Sequence, residues 1–227
     1  MSKKFKEHLH YFPHDFNTSI NFLEDIELPK IVINEKAYMD MIYITSQSNN
    51  NEISWLGSVD KVNNVYIIDN IYLFEQTVSS TTTLITPNSI VKLGTEMLKA
   101  GMIKEVNKLR FWGHLHPGNS TSPSKDDNDT MDILRKRCKD YFIRGIFGRK
   151  GKAEFSLFDY SKGIWFNDVE WNFYRNENVE RRDVIKKLIE EKVKKEIITF
   201  PSFGGYWQGE TEHDIKDHIF KQGHYYH

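Results

Sequence analysis

Two histidines two positions apart, His114 and His116, open the stretch of this chain whose residue types and spacing could do chemistry. The stretch reads Trp112-Gly113-His114-Leu115-His116-Pro117, then a Gly-, Asn-, Ser-, Thr- and Pro-rich run from 118 to 123, then Ser124-Lys125-Asp126-Asp127. Residues 108–116 read as a strand. Side chains i and i+2 of a strand share a face, so both imidazoles aim at one point while Leu115 turns to the opposite face. Pro117 has no N–H to give a ladder and ends the strand. The run that follows is turn chemistry. Ser124 is placed to cap a helix, with Asp127 three residues on. A strand end and a helix first turn can thus bring two nitrogens and one carboxylate oxygen together. Three protein ligands with a fourth position left open is the arrangement of a catalytic zinc site. Each part alone has a plainer meaning. Ser-x-x-Asp is close to an ordinary capping box, and a histidine near a strand end is commonly hydrogen-bonded or solvated. The combination is what points to a metal.

His114-x-His116-Pro117, six residues, then Ser124-x-x-Asp127 resembles the motif of the JAMM (JAB/MPN) metallopeptidase family, prokaryotic JAB type. The resemblance runs over roughly residues 30–175. That family also uses a glutamate on an earlier strand, and Glu52 in Asn51-Glu52-Ile53-Ser54-Trp55-Leu56-Gly57 stands at the matching place. The residue between the histidines is often Ser or Thr in the family; here it is Leu115, which faces away from the metal. The resemblance implies zinc (Zn2+) held by His114, His116 and Asp127. It implies Glu52 as the general base, passing a proton from zinc-activated water to the leaving amine, and Ser124 as a donor to the tetrahedral oxyanion. Burial would raise the Glu52 pKa and the cation would lower it, so the sequence leaves that sign open.

The same resemblance implies an amide or isopeptide bond at the C-terminal tail of a ubiquitin-like or sulfur-carrier protein as substrate, with a ubiquitin-like protein or its conjugate as partner. An extended tail can add as a strand beside an exposed sheet edge. It further implies an α/β (α+β) fold, a cytidine-deaminase-like mixed β-sheet flanked by helices. Zinc deaminases themselves need a Pro-Cys-x-x-Cys ligand pair, which a chain with one cysteine lacks. Linkage-selective deubiquitinases carry long insertions; between Asp127 and a strand at Tyr141 there is room only for a helix, which points to a compact enzyme. Two alternatives stay open: a non-catalytic MPN-type scaffold, and a DNA-repair-associated JAB relative whose motif Thr121-Ser122-Pro123-Ser124 resembles.

The rest of the chain must position that set. Its 227 residues hold one domain with extensions, expected as 1–29, an N-terminal extension; 30–175, the metallopeptidase domain; and 176–227, a helix followed by an aromatic, histidine-rich tail. A net charge of -1 gives no basic field for nucleic acid. The lone Cys138 excludes an internal disulfide framework and a Cys-rich zinc module. No apolar run of signal-peptide or membrane-span length is present, so a cytoplasmic protein without a membrane partner is expected.

In order, Ile31–Ile33 reads as a short strand, and Asn34 caps a helix from Glu35 to about Gln47. Glu52–Val62 and Val65–Phe74 read as a hairpin turning at Asn63-Asn64, with Glu52 at the end far from the turn. Glu75–Thr86 reads as a loop or an edge strand. Asn88 is expected to cap a helix to Ala100 that Gly101 ends. The Ser124 helix is expected to run to about Asp140, with Arg135, Lys136, Arg137 and Lys139 as a solvated face. Tyr141–Arg149, Ala153–Tyr160 and Ile164–Tyr174 read as strands, and Asn178–Ile197 as a charged helix with Val184, Ile185, Leu188, Ile189 and Val193 as its apolar stripe. His8, His10 and His14 read as surface residues. His213, His218, His224 and His227 lack the tight spacing of a second metal site, and Gly204-Gly205 reads as a turn.

Overall fold

The computed structural model describes residues 9–11, 27–135, 138–149, 151–174 and 182–195. The expected residues of the two extensions outside these spans, among them His8, His14, Gly204-Gly205 and the four histidines from 213 onward, lie outside the described residues, as do Lys136 and Arg137.

The elements are strand β1 (Leu9–Tyr11), β2 (Lys30–Asn34), helix α1 (Glu35–Ser46), β3 (Ser54–Val62), β4 (Val65–Tyr72), β5 (Gln76–Val78), β6 (Thr83–Leu84), α2 (Pro87–Lys99), α3 (Ile103–Asn107), β7 (Leu109–His116), α4 (Lys125–Arg135), β8 (Tyr141–Gly148), β9 (Ala153–Asp159), β10 (Ile164–Phe166), β11 (Trp171–Tyr174), α5 (Arg182–Lys192) and β12 (Val193–Lys195). The fold is mixed α and β, as expected. Nine strands make one sheet in the order β1-β10-β9-β8-β7-β3-β4-β2-β11. Strands β3 and β7 are antiparallel at its centre, with Ser54 opposite His114. Strand β8 runs parallel to β7, which requires a crossover connection, and α4 supplies it.

Period-2 alternation on β7 sorts its side chains to the two sheet faces. Phe111 and Leu115 enter one core with Ile33, Met41, Trp55 and, from α5, Ile185. Trp112 enters the other with Leu93 and Met97 of α2 and Met131 of α4. His114 and His116 share the Trp112 side, so the candidate site lies on the face covered by α2 and α4. Gly113 lets the strand lie this close to its neighbours: a Cβ there would overlap the Trp55 indole.

Several expectations need correction. Glu75–Thr86 is not a plain loop: it carries two short strands, of which β6 is an edge strand. Its strands β5 and β6 join β12 in a separate three-stranded sheet, with Val193 beside Gln76 in the parallel β12–β5 pair. The helix expected over Asn178–Ile197 therefore stops at Lys192. Thr86, not Asn88, caps α2: its side chain accepts from the Ser89 N–H, and Pro87 takes the first helical position, where a missing N–H costs nothing. The helix after Ser124 ends at Arg135 rather than near Asp140. Ile164–Tyr174 is broken near Asp168, whose φ is +48°. Strand β11 beyond it crosses to the far edge and pairs parallel with β2. From the N-terminal extension, Leu9–Tyr11 forms an edge strand on β10. No described helix is long and apolar enough to cross a membrane.

Candidate metal centre

Two strand ends and one helix start meet at the site. Pro117 ends β7 just after His116, leaving both imidazoles at the rim of the sheet. Helix α4 then begins with a reciprocal capping box. The Ser124 N–H donates to Asp127 Oδ2 at 2.6 Å, and the Asp127 N–H donates to Ser124 Oγ at 3.1 Å. The capping box does not compete with a ligand role, because the same Asp127 carboxylate also faces the histidines. His114 Nε2 lies 3.0 Å from Asp127 Oδ1 and 3.0 Å from His116 Nε2. His116 Nε2 lies 3.2 Å from Asp127 Oδ2 and 3.5 Å from Glu52 Oε1. Each of the four residues offers an atom within 4.8 Å of the others. A tetrahedral ion with bonds of roughly 2.0–2.2 Å sets its ligand atoms roughly 3.3–3.6 Å apart, so the set is nearly at that spacing.

The donor chemistry fits a cation as well. Two imidazole nitrogens and a carboxylate suit divalent transition metals. His116 Nδ1 lies 3.2 Å from the Ser120 carbonyl, which can only accept, so Nδ1 carries the hydrogen and the Nε2 lone pair faces the cluster. His114 is oriented differently: its Nδ1 is buried without a partner among the described residues, and Trp112 stacks on its ring at 4.5 Å. Glu52, His114 and Asp127 are buried, and His116 is the most open of the four.

Electrostatics split the two acids. Burial pushes Glu52 up to about 7; His116 opposes that, and the Asp127 and Asp126 carboxylates add to it. Burial would raise Asp127 too, but hydrogen bonds from His114 and His116 win and hold it well below the usual carboxylate range. The Asp127 hydrogen bond raises His116, whereas burial lowers His114. The surroundings thus drive the two carboxyl groups apart: Asp127 is held toward the anion, and burial pushes Glu52 toward the protonated form.

Thus the structure brings Glu52, His114, His116, Ser124 and Asp127 to one place. Two supporting residues escaped the sequence reading. Arg144 on β8 is buried beneath α4, and its Nη1 donates to Asn128 Oδ1 at 2.9 Å, tying down the helix turn that carries Asp127. An arginine inside an apolar strand was the available signal. Gln76 binds the Ser54 backbone, two residues past Glu52; in a polar stretch it gave no signal at all.

No family model matches this chain, and no curated protein does. Among solved structures it is similar to the solution structure of protein DSY2949 from Desulfitobacterium hafniense, at 17% identity and a TM-score of 0.46, over 64% of this chain and 94% of that one.

Glu52 and His116 face each other across 3.5 Å, and the His116 side chain retains 15% exposure against 1% for His114. A ligand reaching the cluster from solvent would therefore arrive on the His116 side, within reach of the Glu52 carboxyl.

Proposed function

We propose that this chain is a zinc-dependent metallopeptidase of the JAMM (JAB/MPN) type. On this reading it works in the cytoplasm and hydrolyses an amide bond at the C-terminal tail of a ubiquitin-like or sulfur-carrier protein. The observation that supports it is the convergence of His114, His116 and Asp127 on one point with the buried Glu52 carboxyl beside them. A mixed sheet with helices on both faces agrees with that family's architecture.

His114, His116 and Asp127 would hold zinc, which when bound supplies Lewis acidity and a nucleophile at neutral pH. The chain's own groups do the rest. Glu52, near 7 before the cation lowers it, takes up a proton and returns it to the leaving amine. The Ser124 oxygen accepts from the Asp127 N–H, so its hydroxyl hydrogen is left for a substrate oxygen. Both roles assigned to Ser124, cap and donor, are therefore compatible.

The test is cleavage of fusions in which a ubiquitin-like or sulfur-carrier protein precedes a reporter peptide. Zinc-loaded full-length chain should cut after the tail, and the chelated protein should not. Intact fusions in the presence of stoichiometric bound zinc would favour the non-catalytic scaffold instead.

A further inference from the structure

Glu52 does not sit inside a strand. Strand β3 begins two residues later, at Ser54. The Ile53 carbonyl accepts from the Leu115 N–H on the β7 side at 2.9 Å. Successive residues of an antiparallel strand point their backbone groups to opposite sides, so those of Glu52 and Ser54 face away from β7. On that side β4 has already ended; its last pair with β3 is Tyr72 with Leu56. The polar groups of Ser54 would be buried there without a ladder.

Gln76 fills the gap. Its Oε1 accepts from the Ser54 N–H at 2.8 Å, and its Nε2 donates to the Ser54 carbonyl at 2.8 Å and to the Phe74 carbonyl at 3.2 Å. One side-chain amide thus makes the pair of bonds that a neighbouring strand would make. A backbone N–H only donates and a carbonyl only accepts, which fixes the orientation of the amide. Glu52 is held the same way from the same hairpin: its N–H donates to the Ser79 carbonyl at 2.8 Å, and Thr83 Oγ1 donates to its carbonyl at 2.7 Å. Every outward-facing backbone group of the Glu52 and Ser54 positions is therefore bound by the segment from Gln76 to Thr83. Gln76 itself is buried, so water does not compete for these bonds.

We propose that Gln76 is a positioning residue for Glu52: it locks the strand entry that aims the Glu52 carboxyl at the metal cluster. The proposal rests on the reading of Glu52 as the residue that exchanges protons during hydrolysis. Gln76 touches neither the ligands nor any reacting atom. Its effect passes through the Ser54 backbone, and small displacements of a reacting group carry large rate costs.

The test uses the full chain with Gln76→Met, which keeps the side-chain length and removes the amide, and Gln76→Asn, which draws the amide back by one methylene. Cobalt(II) replaces zinc, and paramagnetic NMR shifts of the Glu52 and Asp127 side chains report their places relative to the ion. In both variants the Glu52 shifts should fall by about half or more while the Asp127 shifts and the metal affinity hold, and kcat should drop ~10- to 100-fold at nearly constant KM. If Gln76→Met does not fold, the milder Gln76→Asn carries the same expectation. Glu52 shifts that stay as in the wild type would overturn the proposal, and so would Glu52 and Asp127 shifts lost together. A wild type that hydrolyses nothing would defeat the functional reading alone, since the NMR comparison still decides whether Gln76 places Glu52.

Discussion

The candidate ligand half of the proposed centre and its candidate acid half are held by different means. His114, His116 and Asp127 come from one strand–loop–helix unit, β7 to α4, and their geometry follows from local rules: alternation on a strand, a proline stop and a capping box. Glu52 comes from a separate strand entry and is held by hydrogen bonds from the β5–β6 hairpin, which is itself braced by β12 from the far end of the chain. The candidate ligands are thus placed mainly by contacts close in sequence, with Arg144 as a longer-range support, and Glu52 by contacts distant in sequence. The two halves should be separable by mutation: metal affinity should follow the first, and turnover at full metal occupancy should follow the second.

The largest effect expected is in the ligand half. Altering groups that merely support a ligand costs about 10- to 100-fold in metal affinity, so His116→Ala should exceed that and reduce hydrolysis to background. Competition with a chromophoric chelator measures it, and retention of tight zinc would break the comparison. Next comes Glu52→Gln, which keeps the side-chain shape and removes the base. Turnover of the zinc-loaded variant should fall ~100- to 10,000-fold, the usual range for a general base, with zinc affinity nearly unchanged. A comparable loss of zinc would show that Glu52 belongs with the ligands.

Ser124→Ala sits on the border between the halves. Loss of the cap should lower stability by about 0.5–2 kcal/mol in denaturant titrations. Loss of the oxyanion donor should separately lower kcat by ~100-fold. Ser124→Gly, at which an N-cap is nearly as well tolerated, should restore much of the stability and none of the rate.

The smallest effect concerns the metal-free protein. Burial raises Glu52 from 4.5 to about 7, so between those pH values the folded chain holds a proton there that the unfolded chain has lost. The stability this residue contributes is present below about pH 4.5 and is lost as pH rises through about 7. Glu52→Gln removes that dependence. With chelator present, the variant should melt above the wild type at pH 8 and close to it at pH 4.5. An equal offset at both pH values would place the carboxyl in a less costly environment than its burial indicates.

The same division governs what could be read without coordinates. The convergence of His114, His116 and Asp127 was legible because their spacing carries its geometry. The Asn34 cap of α1 and the turn at Asn63, with φ of +54°, were legible for the same local reasons. The support of Glu52 was not. Strands β5, β6 and β12 are two or three residues long, too short to show alternation, and β12 pairs with β5 only because folding brings Val193 to Gln76. Thr86 and Asn88 are both good caps, and the choice fell to Thr86 because Pro87 fits the first helical turn. Arg144 lies on a strand buried along its whole length, where alternation cannot reveal that it reaches α4. The crossing of β11 to β2 depends on a break at Asp168, a non-glycine residue in a left-handed conformation that its sequence neighbours do not demand.

The central claim is that His114, His116 and Asp127 hold one metal ion beside Glu52. Anomalous diffraction across the zinc absorption edge, from crystals of protein purified without chelators, tests it most directly. The account predicts a single strong zinc peak roughly 2.0–2.2 Å from both histidine Nε2 atoms and an Asp127 oxygen, with Glu52 close by but not a ligand. A fully ordered site with no peak after zinc is supplied, or a peak bound by other residues, would contradict it.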